Sequence, residues 1–221
     1  MSERLPLFPL GTVLYPGLLL PLHIFEERYR RLVRDLLDRP EPRRFGVIAI
    51  RKGRETGVDG VSALYEIGCT ATVRQVVPHE DGRYELVTAG TQRFRLVGLD
   101  DSLPYLQGDV EFLTEPIGDE AATAEAVLAV QAAFGDYLGA LSERGAEIRV
   151  PELPDEPVLL SYLVAATIVV DLPDRQRLLA EPDALRRLET GRALLTREAA
   201  MLRTFTSAPA PDLRNTPFNP N

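Results

Sequence analysis

From Leu5 to Phe25 the chain reads LPLFPLGTVLYPGLLLPLHIF, 21 residues with no charge between Arg4 and Glu26. A run of about 18 such residues is already long enough to suggest a membrane-spanning helix. Pro6, Pro9, Pro16 and Pro21 exclude one. Each lacks an N–H and clashes with the preceding turn, at roughly 3 kcal/mol apiece in a helix interior. The prolines cut the run into LPLF, TVLY and LLLPL, separated by Gly11 and by Pro16-Gly17. These pieces read as short extended segments joined by turns. The period then changes. Phe25, Tyr29, Leu32, Val33 and Leu36 follow helical spacing to about Leu37, while Glu26/Arg30 and Glu27/Arg31 form i,i+4 pairs on the other face. The pattern predicts an amphipathic helix lying on a sheet, with Leu20, Leu22, Phe25 and Tyr29 as a nearly fully buried anchor.

Alternation resumes after DRPEPRR. FGVIAIR, from Phe45 to Arg51, reads as a buried strand, and the charged, glycine-rich Lys52 to Gly60 reads as a mobile surface loop. CTATVRQVV, RYELVTAG, QRFRLVGL and YLQGDVEFL are rich in β-branched and aromatic residues and predict further strands. Asp81-Gly82 marks a hairpin between the first two. Arg93 and Arg95 alternate with Phe94 and Leu96, as in a strand with one wet face. Strands this close together, with one early helix, suggest a small closed or half-closed β-barrel.

At Ile117-Gly118 the pattern turns helical. Asp119 can cap a helix to about Leu141 with Val127, Val130, Phe134, Tyr137 and Leu141 on its apolar face. A long connection, ERGAEIRVPELPDEP, leads to a second helix with Asp155 as its cap, Pro157 in its first turn, and Leu159, Tyr162, Leu163 and Ala166 along it. DRQRLLAE reads as a short turn. A last helix follows Pro182, carrying Leu185, Leu188, Leu195, Ala199 and Leu202. The expected organisation is α+β: a barrel over residues 1–117, a helical bundle over 118–206, and a proline-rich extended tail over 207–221.

Composition narrows the function. A net charge of −8 disfavours a nucleic-acid backbone as partner, since such binding depends on Lys and Arg. Arg93, Arg95 and Phe94 are the one small basic and aromatic spot that could suit RNA. Cys69 is the only cysteine, so no internal disulfide can form, and a reducing cytoplasm is the expected setting. Met1 to Arg4 makes a poor leader and no small-residue cleavage pattern follows the apolar run, which argues against a signal peptide.

Candidates for chemistry are few. His23, His79 and Cys69 have no zinc-ligand spacing, and there is no phosphate-cradling glycine loop, so no metal and no cofactor is expected. Cys69 opens a strand and His79 lies past its end, roughly 30 Å away at about 3.3 Å per residue, too far for a nucleophile and its base. His79 reads as a solvated hairpin residue and His23 as a packed or capping one. The single lysine, Lys52, lies in the predicted loop and not in the desolvated pocket that a lysine base needs. No catalytic residue is assigned. The surface candidate is apolar: Tyr15, Leu18 and Leu19 flank the Pro16-Gly17 turn, where alternation cannot bury every side chain, and exposed apolar patches mark partner sites. The tail from Ser207 could cover the same surface.

LPLFPLGTVLYPGLLLPLHIFEERYRRLV, then LYEIGCTATVRQVV and DGRYELVTAGTQRFRLVGL, together resemble the N-terminal domain of Lon proteases. The proline-punctuated opening, the IG strand start and the G-x-x-R-F-R-L segment from Gly90 to Leu96 stand in that family's order. The likeness covers Leu5 to about Pro116 most specifically and the helices to about Phe205 more loosely. It implies a PUA-like β-barrel followed by a helical bundle, and a substrate-recognition role. The chain ends where that family's ATPase and serine-lysine protease would follow, so the resemblance implies a stand-alone member with no catalytic residue to carry over. The expected function is a non-catalytic module that binds a protein or peptide segment, as an adaptor or regulator of proteolysis. The alternatives are a Lon-related hydrolase with an unrecognised site and an RNA-binding PUA-like protein. Oligomeric state is left open.

Overall fold

The computed structural model describes residues 2–53, 61–144 and 153–206. The expected loop at 54–60, most of the connection before the second helix, and the tail at 207–221 lie outside the described residues. In chain order the elements are β1 (Glu3–Leu10), β2 (Leu19–Ile24), α1 (Glu27–Leu37), β3 (Arg44–Gly53), β4 (Val61–Leu64), β5 (Ile67–Pro78), β6 (Tyr84–Asp100) and β7 (Gln107–Phe112), then α2 (Glu120–Ser142), α3 (Pro157–Thr167), α4 (Leu172–Ala180) and α5 (Ala184–Thr206). The class is α+β, strands first and helices after.

The strand pairings run β1-β7-β6-β5-β3 and return from β3 to β1, which it meets in parallel. β2 and β4 are attached outside this circuit, β2 on β6 and β4 on β3. The 17-residue β6 makes the circuit work, where the sequence pattern suggests two strands. Its first half pairs with β2 and β5 and its second half with β7, with register shifts against both β5 and β7 that let it bend. At the crossing, a Cβ on Gly90 would overlap the Tyr15 carbonyl oxygen, so only glycine admits the preceding turn there. Gly17, in that turn, has φ of 83°, a conformation glycine adopts without steric cost.

Three apolar clusters hold the molecule. Leu5, Leu7, Ile48, Phe94 and Val110 fill one end of the circuit. Tyr29, Leu32, Val33 and Leu36 of α1 pack on Phe8, Ile24, Phe45, Val47, Cys69 and Leu86. The helical bundle buries Val130, Phe134, Tyr137, Leu160, Leu188 and Leu195, and shares this core with Tyr15 and Ile67 of the β part.

Several local expectations are corrected. Phe25 is 53% exposed, and Leu20 and Leu22 are only half-buried. Ile24, 1% exposed, is the anchor beside Tyr29. The reason is strand parity: β2 ends at Ile24 and the α1 cap is Glu26, so Phe25 continues the outward side of the strand and not the helical stripe. Glu27 pairs with Arg30 and Arg34, and Glu26 with Arg28, in place of the two expected i,i+4 pairs. Lys52 and Gly53 extend β3 and do not begin a loop. α3 is capped by Glu156, whose carboxylate accepts from the Val158 and Leu159 amides, and not by Asp155. It buries Leu160, Tyr162, Val164 and Ala165, leaving Leu159 and Ala166 exposed, because a helix apolar on all sides has no periodic stripe to reveal its inner face. DRQRLLAE belongs to α4, started by Asp171, whose side chain accepts from the Asp174 amide.

Arg93 is the largest correction. It is 1% exposed, because the helices cover the outer face of β6 at this position, whereas Arg95, two residues on, is exposed as expected. Its Nε donates to Glu115 at 2.7 Å and its Nη1 to the Leu179 and Glu181 carbonyls at 2.8 and 2.6 Å. Glu115 also accepts from the Tyr162 hydroxyl at 2.7 Å, and Arg187, fully buried, approaches it at 3.5 Å while stacking over the Tyr162 ring. Burial pulls the Arg187 guanidinium below its ordinary pKa. This charged knot ties strand β6 to helices α3, α4 and α5. Phe94 is buried in the opposite direction, so the basic and aromatic spot expected for RNA does not exist on the surface.

Candidate protein-binding face

β2 alternates strictly: Leu20, Leu22 and Ile24 turn toward α1, whereas Leu19, Pro21 and His23 face outward and are exposed. Phe25 prolongs the outward row. Across the strand pairing, Leu19 lies opposite Ala89, Pro21 opposite Val87 and His23 opposite Glu85. The next strand places Gln75 opposite Val87 and Val77 opposite Glu85. The result is a three-stranded wing with α1 against one side and an open, mostly apolar surface on the other, where Leu19 is 68%, Phe25 53% and Val77 39% exposed. The His23 and Phe25 rings lie 6.1 Å apart with an interplanar angle of 29°, a contact at the end of the row.

The free edge of β2 is poorly suited to strand addition. Leu18 O accepts from Gly90 N at 2.8 Å and Leu20 O from Thr88 Oγ1 at 2.9 Å, so even-numbered residues turn their backbone groups toward β6. Odd-numbered residues turn theirs to the free edge, and Pro21 at the centre has no N–H to give. Contact with a partner is therefore left to the side-chain face. A cleft of about 100 Å³ beside Leu22 and Phe25, walled by Phe8, Leu10 and Tyr29, has room for a side chain and not for a ligand of ordinary size.

Of the three residues singled out from the sequence, the structure separates one from the other two. Tyr15 is 3% exposed, its hydroxyl donates to the Arg175 carbonyl at 2.9 Å, and burial pushes its pKa up. It belongs to the seam between sheet and bundle. Leu18 is half-buried and bridges two apolar clusters, and Leu19 is the exposed member. Pattern reasoning missed Leu159, 52% exposed and beside Gly17 at the wing's end, and it placed Phe25 in the core. Strand alternation carried one step past Ile24 would have found Phe25; nothing local marks Leu159.

The remaining candidates for chemistry are separated. Cys69 is fully buried, and burial pushes its thiol up to about 12, far from a reactive thiolate. His79 is exposed in the turn after β5, with Nε2 3.5 Å from Glu85, and His23 is exposed on β2, not packed or capping. Lys52 is exposed at the end of β3. Among the described residues no His, Cys, Asp and Glu side chains gather in a group that could hold a metal, and no helix is long and apolar enough to cross a membrane.

Comparison with known proteins places these features. Residues 4–197 match the model of the ATP-dependent protease La (LON) substrate-binding domain. The Lon protease of Escherichia coli K12 is 27% identical over 205 residues, covering 91% of this chain and 26% of that protein. The Lon protease of Paraburkholderia phytofirmans is 30% identical over 191 residues, covering 85% of this chain and 23% of that protein. The chain thus spans about a quarter of the length of the curated relatives it matches. The crystal structure of a Lon N-terminal domain protein from Xanthomonas campestris superposes with a TM-score of 0.62 at 26% identity, covering 86% of this chain and 98% of that one. The N-terminal domain of a Mycobacterium avium complex Lon protease gives the same TM-score at 15% identity and shares the fold. With the match extending over nearly all of its strands and helices, the chain belongs to the LON substrate-binding domain family.

Proposed function

We propose that this protein binds segments of other proteins, and that the outer face of the β2-β6-β5 wing is where they lie. One observation carries the reading: Leu19, Pro21, His23 and Phe25 form an exposed, largely apolar row on a sheet face that α1 supports from behind and nothing described covers. Side chains on one side of a strand recur at about 6.8 Å, the repeat an extended peptide also presents. The part at residues 1–117 carries the face, and the helices at 118–206 buttress it through the Arg93 and Glu115 knot. In a proteolytic pathway such a module serves as an adaptor or regulator that recognises a chain without cutting it. Arg93 and Phe94 are withdrawn from the surface, which favours a protein partner over RNA.

The test is binding to a permanently unfolded, carboxymethylated polypeptide. Leu19→Asp and Phe25→Asp, each on an exposed side chain, are expected to weaken binding at least tenfold with thermal midpoints near wild type. Unchanged affinity in both folded variants would reject the face.

A further inference from the structure

Both histidines of the chain flank one carboxylate. His23 is the cross-strand neighbour of Glu85, and His79 Nε2 lies 3.5 Å from Glu85 Oε1. The Glu85 side chain is 59% exposed on the outer side of the wing, at the Phe25 end of the apolar row. Neighbouring carboxylates have guanidinium partners: Arg28 for Glu26, Arg30 and Arg34 for Glu27, Arg83 for Asp81. Among the described residues no arginine or lysine is paired with Glu85. Its companions are imidazoles, and the apolar surface beside it leaves little local charge to oppose an incoming cation. The net charge of −8 adds a long-range attraction of the same sign.

Building on the binding face proposed above, we infer that the preferred occupant is an extended apolar segment carrying a lysine or arginine, whose cationic head meets Glu85 while the apolar side chains lie along Leu19, Pro21 and Val87. The strand repeat fixes the spacing. His23 and Glu85 stand one outward position from Pro21 and Val87 and two from Leu19 and Ala89, so the cation belongs two to four residues from the apolar anchor in an extended chain. Arg74, exposed on β5 at the register shift opposite Val87 and Thr88, confines this preference to the Glu85 end.

The experiment uses the whole protein and a pair of short fluorescent peptides of alternating leucine and serine, identical except that the central leucine is replaced by lysine in one and glutamate in the other, which keeps the charge on the leucine side of an extended chain. Wild type should bind the lysine peptide on the order of fivefold more tightly, a preference that shrinks as salt is raised. Glu85→Gln should bring the ratio near one, and Glu85→Lys should reverse it. Equal binding by wild type, or a preference that survives Glu85→Gln, would overturn the inference. Leu19→Asp separates the two proposals. If it abolishes binding of both peptides while Glu85→Gln leaves the lysine preference intact, the face stands and the role of Glu85 falls. If Leu19→Asp leaves both affinities unchanged, the face itself is wrong and this inference goes with it.

Discussion

Single side chains here show how little residue type says without its surroundings. Phe25 and Arg93 exchange the places their chemistry suggests: the phenyl ring is half in solvent and the guanidinium is sealed. Phe25→Ala should therefore cost less than about 1 kcal/mol of stability, measured by denaturant unfolding, whereas a buried phenylalanine loses about 3 to 5 kcal/mol. Glu115→Gln should cost about 2 kcal/mol or more, because it leaves Arg93 and Arg187 buried without their shared carboxylate. Equal stability of those two variants would contradict the placement of both. Cys69 sets a pH dependence whose sign follows from its burial. Its folded pKa, about 12, stands above the ordinary value of about 8.5, so its contribution is fully present below about pH 8.5 and is lost as pH rises toward 12. Cys69→Ala should flatten that alkaline decline relative to wild type in urea titrations at stepped pH, and an unchanged slope would refute it.

Among the elements, the early strands and the two long helices were legible because each carries a clean period and its own punctuation. Pro16-Gly17 turns the chain into β2, and Asp119 caps α2 as its position suggests, accepting from the Ala122 amide. What escaped sequence reasoning depends on what covers an element. The outer face of β6 reads as wet because arginines alternate there, and it is so at Arg95, yet at Arg93 the end of α4 lies on it and supplies the carbonyls that Arg93 needs. The helix α3 was expected, but its inner face and the exposed Leu159 escaped for the converse reason, an apolar composition with no polar side to orient it. Of the candidate row only Leu19 was visible, in a turn with surplus apolar residues, while Tyr15 and Leu18 of that turn pack inward; the row through His23 and Phe25 required the register with β6. Gly90→Ala tests that register. Its added methyl would meet the Tyr15 carbonyl, and a loss of about 1 to 3 kcal/mol is expected from thermal unfolding. A neutral result would mean that the Tyr15 turn does not press on β6.

As a whole, the molecule joins a β circuit to a helical bundle through a shared apolar core and one charged knot, and that rigid support leaves the wing's outer face open. It also exposes Leu128 on α2, 69% accessible and outside the β2-β6-β5 wing, which serves as an internal control. The most direct measurement places a photoreactive amino acid in turn at positions 19, 25 and 128 and irradiates the protein with an unfolded, carboxymethylated polypeptide. A substrate-binding wing predicts strong cross-links from positions 19 and 25 and background yield from 128, with excess unlabelled polypeptide suppressing the first two. Equal yields at all three positions, or a dominant cross-link from 128, would contradict the account.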